Sequence, residues 1–133
     1  TYDKTNHGGK TKMQCLQELG ALGWQVYVVD GGDEVPAHTL GKSADDLLKE
    51  FKEQGFCGLT VEASFAMQMH GQVRGNQFDK VNYEWLLESY LTTIGARGVV
   101  LASLWVGSYV YLDRNRPEDS GGFLGARRAV RVL

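Results

Sequence analysis

Val99-Val100-Leu101-Ala102-Ser103-Leu104-Trp105-Val106-Gly107-Ser108-Tyr109-Val110-Tyr111-Leu112 is the stretch whose reading decides the fold class. Its β-branched and aromatic residues suit a pleated, half-buried surface. Ser103, Gly107 and Ser108 interrupt it before it reaches the roughly 18 apolar residues that a membrane helix needs. It therefore reads as two strands meeting near Gly107. Alternation carried through both strands puts Val100, Ala102, Leu104, Val106, Val110 and Leu112 on one apolar face. Ser103, Trp105, Tyr109 and Tyr111 fall on the other. The first face is core. For the second, two readings stand: it packs against helices, or it is left to solvent, as one face of many antiparallel sheets is.

Working outward, Arg127 to Leu133 reads as a last strand tied into a sheet, because an apolar end left loose would fray. Val81 to Leu91 supports either element. Trp85 and Leu87 alternate as in a strand, while Leu86, Leu87 and Tyr90 have helical spacing; the first half is taken as strand. From Leu59 the apolar period is two: Leu59, Val61, Ala63, Phe65, Met67 and Met69 against Thr60, Glu62, Ser64, Gln68 and His70. That predicts a half-buried strand, bent midway, followed by a polar loop over Gly71 to Asp79. Ser43 with Asp46 three residues on marks a helix start, Leu47, Leu48 and Phe51 supply its apolar stripe, and Gly55 stops it. Lys10 to Leu22 predicts another helix, striped by Cys15, Leu16, Leu19 and Leu22 and ended by Gly23. Trp24 to Val29 follows as a strand and Asp30-Gly31-Gly32-Asp33 as a turn. Helix, strand, helix and then a run of strands is the order of an α+β domain.

The 133 residues fit one domain, 1–133, with 1–9 as a flexible leading segment. The start carries neither Met nor a signal-like apolar run, so the chain is expected to begin inside a longer protein or after a removed leader. A net charge of −2 argues against nucleic-acid binding by phosphate neutralisation, and no segment suits membrane insertion. Cys15 and Cys57 permit one disulfide and demand none; buried thiols are the simpler reading.

Chemistry is sparse. No nucleophile elbow, zinc-protease helix, Cys-x-x-Cys pair or phosphate loop occurs. Gly8-Gly9-Lys10-Thr11 lacks the earlier glycine and the preceding strand that a phosphate loop requires. His7, His38 and His70 are widely spaced, so neither a metal site nor a cofactor is expected. Glu62, Ser64 and His70 share a face of the predicted strand, but Ser64 and His70 would lie roughly 20 Å apart along it. No catalytic residue is assigned. Arg114, Arg116, Arg127, Arg128 and Arg131 make the C-terminal third locally basic, to be met by the acids of Asp45 to Glu53 or by an anionic partner.

Four pieces together give a family resemblance. They are Gly23-Trp24 after a helix with Val35-Pro36 and a second helix downstream; Gly55-Phe56-Cys57-Gly58-Leu59 opening a strand; Trp85 with Glu88-Ser89; and Gly122-Phe123 with Ala129-Val130-Arg131-Val132 as a closing strand. The layout resembles the bacterial and phage branch of the C-type-lectin-like fold, which includes the variable proteins diversified by retroelements. Val35-Pro36 lies later than the family's Leu-Pro-Thr, Leu86-Leu87 stand where small polar residues are common, and neither calcium motif of animal sugar-binding lectins occurs. The resemblance implies an α+β, C-type-lectin-like domain with two helices packed on small antiparallel sheets. It implies a non-catalytic module that displays Trp105, Tyr109, Tyr111, Arg114, Asn115 and Arg116 to a protein or carbohydrate ligand. An extracellular, phage or cell-surface location and a possible homo-oligomer go with it. Two alternatives remain: a small intracellular enzyme or phage-derived inhibitor with a cleft near His70, Glu62 and Cys57, and a structural subunit of an adhesin or tail assembly.

Overall fold

Gly107, at φ +61°, turns the chain between two antiparallel strands, Val99–Val106 (β3) and Tyr109–Asn115 (β4). Positive φ at the first of two linking residues is the geometry of a tight hairpin whose twist matches its strands. The structure, a computed structural model, describes Gln14, residues 26–91 and residues 99–132, with side chains except at 89–91 and 131. The predicted helix over Lys10 to Leu22, segment 1–9, Cys15 and Trp24 lie outside the described residues.

In chain order, β1 (Tyr27–Val29) leads to a 3-10 turn at Ala37–Thr39, then helices α1 (Ala44–Glu53) and α2 (Val61–Val73). A further strand, β2 (Tyr83–Leu91), precedes the hairpin, and β5 (Leu124–Gly125) and β6 (Ala129–Arg131) follow it. The result is an α+β architecture with two helices and two small sheets among the described residues. The four-stranded sheet has the order β4-β3-β2-β5, and β1 pairs with β6 in the other. One pairing departs from the all-antiparallel expectation: β5 runs parallel to β2. No helix among the described residues is long and apolar enough to cross a membrane.

Each face of the larger sheet carries one helix. Trp85, Leu87, Val100 and Ala102 pack with Ala44, Leu47 and Phe51 of α1. The alternate residues Leu86, Leu101 and Leu112 pack with Val61, Ala63 and Met67 of α2, and with Tyr27, Val29 and Ala129 of the small sheet. Helix α1 starts as expected, with the Ser43 hydroxyl accepting from the Asp46 amide at 3.1 Å.

Helix α2 corrects the strand expected from Leu59 onward. Thr60 caps it by accepting from the Ala63 amide at 3.1 Å. Beyond Val61, its Glu, Ala, Met and Gln residues are helix formers and none is β-branched until Val73. The two-residue alternation misled because this helix is turned against its own hydrophobicity. It buries Ser64, Gln68 and Gly71, spaced four and three residues apart, and leaves Phe65, Met69 and Val73 exposed. Glu62, Ser64 and His70 accordingly share no face: Ser64 is buried, and Glu62 and His70 are exposed.

Candidate binding site

The register of the hairpin decides which rings reach solvent. Val106 pairs with Tyr109, Trp105 with Val110, Leu104 with Tyr111 and Ser103 with Leu112. Paired residues share a face. Across a two-residue turn an odd position therefore faces with an even one, and alternation cannot be carried straight through Gly107. Trp105 belongs with Val110 and Leu112 on the α2 side, whereas Tyr109 and Tyr111 belong with Val106 and Leu104 on the α1 side.

Trp105 is the correction that follows. It is 5% exposed, and its indole N–H donates to the Gln68 carboxamide of α2. Ser103 is sealed beside it, 3.5 Å from the Ser64 hydroxyl. The helix-packed reading holds for this half of the set. Tyr109 and Tyr111 stand out at 59% and 44% exposure, and Val106, expected in the core, is also largely exposed.

Helix α1 covers only part of its face. It lies over the rows of Trp85, Ala102, Leu87 and Val100. The next row runs Leu124, Tyr83, Leu104, Tyr111 across all four strands, and it is half-buried or exposed throughout. Here the chain between β4 and β5 crosses the sheet and leaves a pocket of about 220 Å³ lined by Tyr83, Asp113, Asn115, Gly121, Phe123 and Leu124. Phe123 stands at its rim, 67% exposed.

The rim is tied down along its length. The Arg116 and Asp119 side chains pair at 3.2 Å, and the Asp119 amide donates to the Arg116 carbonyl at 3.0 Å. The Pro117 carbonyl accepts from the Asp45 amide in the first turn of α1, and the Tyr83 amide donates to the Phe123 carbonyl at 2.6 Å. Backbone fixed before a ligand arrives need not be ordered on binding.

Of the residues expected to form the site, Asn115 lines the pocket, and Tyr111 and Tyr109 lie further along the same face of β4, outside its lining. Arg116 is engaged with Asp119, and Arg114, paired with Leu101, takes the α2 side of the sheet. Sequence reasoning missed Tyr83, Asp113 and Phe123 as a group, because only the parallel pairing of β5 with β2 brings residues 121–124 onto the sheet that carries β4. The parity of the hairpin was the available signal for Trp105.

Behind the pocket the two sheets are joined by a buried ionic cluster. Arg127 donates through Nη1 to Asp79 and, at 3.2 Å, to Glu84, and through Nη2 to the Gly32 carbonyl at 3.0 Å. All three charged side chains are sealed from solvent. Burial, and then the Asp79 charge, push the Glu84 carboxyl up to about 8, against the pull of Arg127. Burial raises Asp79 as well, again opposed by Arg127. Burial thus favours the protonated form of Glu84 at neutral pH. Arg128 pairs with Asp30 at 2.9 Å. Arg116, Arg127 and Arg128 are thus met by acids outside the Asp45 to Glu53 segment.

No family model, curated protein or solved structure matches the chain.

The residues named for a catalytic alternative do not form a set with one another here. Cys57 lies at a bridge to Ala129, its thiol 3.2 Å from that carbonyl, and lines a second pocket with Lys49, Lys52 and Glu88. His70 lies near the far end of α2. Among the described residues no group of three or more His, Cys, Asp or Glu is placed to hold a metal.

Proposed function

We propose that this protein is a non-catalytic, C-type-lectin-like binding module that recognises a protein or carbohydrate ligand on the α1 side of its larger sheet. The observation that carries the reading is the outward set Tyr109 and Tyr111 on the sheet face that also holds a pocket lined by Phe123 and by two polar residues, Asp113 and Asn115. Rigid aromatic side chains give much contact area at little entropic cost, which is why binding surfaces favour them. A concave, largely apolar site with a few convergent polar groups is the usual form of a ligand pocket. The lectin-like part is supported by β6, which lies within the segment resembling that family's closing strand and pairs with the strand that follows Gly23-Trp24.

The test is to pan a displayed peptide library and a glycan array with the protein, then repeat with Tyr109→Ala/Tyr111→Ala. Ligands selected by the native surface should lose at least tenfold in affinity while the melting temperature stays within a degree or two. Undiminished binding by the double variant would refute the reading.

A further inference from the structure

We infer that the pocket takes a cation: the ammonium or guanidinium head of a lysine or arginine side chain on a polypeptide partner. The inference rests on the binding reading above and adds the chemistry of the ligand. Asp113 is the deciding residue. Its side chain lines the pocket, its Oδ1 accepts only from the neighbouring Arg114 amide at 2.8 Å, and no cation among the described residues pairs with it. Nearby bases are engaged elsewhere: Arg116 with Asp119 at 3.2 Å and Lys42 with Glu50 at 2.7 Å. Arg114 lies on the opposite face by register. None of the six lining residues is basic.

Any group that fills this pocket strips water from the Asp113 carboxylate. An apolar occupant would leave that charge dry and unpaired, and an anion would add repulsion. A cation offsets the loss with a charge-assisted hydrogen bond. The remaining wall suits the same guest. Tyr83 and Phe123 put aromatic rings in the lining, and the negative quadrupole of a ring face attracts ammonium and guanidinium groups. Asn115 adds a carboxamide oxygen as a further acceptor. The apolar wall of Leu124 matches the methylene stem of such a side chain.

The polypeptide origin follows from β4, which has β3 as its one strand neighbour among the described residues. An extended partner segment laid along its free edge would set a side chain level with Asp113 on the same face. Tyr109 and Tyr111, on that face, would flank it.

Nuclear magnetic resonance titration of the full chain tests this with four probes: Nα-acetyl-arginine methylamide, Nα-acetyl-lysine methylamide, the neutral Nα-acetyl-norleucine methylamide and n-butylammonium. At least one of the basic amides should shift the Asn115 and Phe123 signals with millimolar affinity. The norleucine compound should not bind, and n-butylammonium, lacking a backbone, should bind several-fold more weakly than the basic amides. Asp113→Asn should weaken the basic amides at least tenfold with its melting temperature unchanged, and Phe123→Ala at an exposed rim position should weaken them several-fold. Equal binding of the norleucine compound, or unaltered binding by Asp113→Asn, would overturn the cation. Equal affinity for n-butylammonium would overturn the polypeptide origin. If no basic probe binds while panned ligands still depend on Tyr109 and Tyr111, the cation inference fails and the binding reading stands. If the double tyrosine variant also binds panned ligands normally, both fail.

Discussion

Arg127 holds two acidic side chains, Asp79 and Glu84, where water cannot reach them, and its cost and its use can both be measured. Removing one member of a buried ionic set leaves the others uncompensated, at a cost of about 3–5 kcal/mol. Arg127→Met should therefore lower stability by that order in a denaturant titration. Glu84 gives the cluster a pH signature. Its carboxyl is raised to about 8 in the folded protein, against 4.5 in an ordinary environment, so between those values the folded state holds a proton that the unfolded chain has released. Stability from this group is then complete below about pH 4.5 and declines as pH rises through 8. We expect the melting temperature to fall by on the order of 10 °C from pH 5 to pH 8.5. Glu84→Gln, which imitates the neutral acid, should flatten that slope. A melting temperature that rises over this interval would contradict the arrangement. Nothing in the residue pattern announced the cluster, because Asp79, Glu84 and Arg127 are polar, and a sequence reading sends such residues to the surface. Asp79 also adopts φ +56°, a left-handed conformation rare for a residue with a side chain. Its amide donates to the Asp33 carbonyl at 2.7 Å and its carbonyl accepts from the Trp105 amide at 2.9 Å, which hold it there.

Among the elements, legibility tracks whether burial follows polarity. Helix α1 buries Leu47 and Phe51 beneath a Ser43 cap, so its stripe and its signal agree, and it could be read directly. The two strands meeting at Gly107 were legible from their β-branched and aromatic residues, whereas the faces those residues take were set by the hairpin register. In α2 the buried positions are Ser64, Gln68 and Gly71, and the exposed ones include Phe65, Met69 and Val73. Hydrophobicity there points away from the core, and only the Thr60 cap and the shortage of β-branched residues favoured helix. The consequence is a paired prediction. Met69→Lys should change stability by no more than ~0.5 kcal/mol, as exposed substitutions usually do. Gln68→Ala should cost about 1–3 kcal/mol, because the Trp105 indole and the Phe78 amide both lose their partner. Chemical denaturation of the two variants side by side checks it, and the reverse order of losses would restore the strand. Gly71 is buried in α2 because the Cβ of any larger residue would come within 2.5 Å of the Asn76 carbonyl oxygen.

Across the whole molecule, stability and display occupy separate residues. The rings facing solvent at Tyr109, Tyr111 and Phe123 contribute little to the core, while the parts that align the pocket are closely packed. A Cβ at Gly125 in β5 would lie 2.7 Å from the Thr39 hydroxyl and 2.8 Å from a Val35 methyl. Thr39 is needed where it is, since its hydroxyl accepts from the Ala126 amide at 3.1 Å. Gly125→Ala should therefore cost about 1–3 kcal/mol by crowding and should weaken any pocket ligand by displacing Leu124. Phe123→Ala should weaken the same ligand with no measurable loss of stability. Thermal unfolding and ligand titration on both variants separate the two roles. The α+β class was legible from the order of elements. The site was not, because it depends on a parallel pairing between β2 and a two-residue strand 41 positions away from it in sequence.

The contact between Arg128 and Asp30 joins positions 98 residues apart, and among the described residues β6 is the strand that partners β1. During synthesis the polypeptide emerges from the ribosome in order, so Tyr27–Val29 is made about a hundred residues before the strand it pairs with. That pairing is thus expected to be a late step in folding. A nascent chain stalled before Arg127 should stay open to protease attack and dependent on chaperones, and protection should arrive only when Ala129–Arg131 clears the exit tunnel.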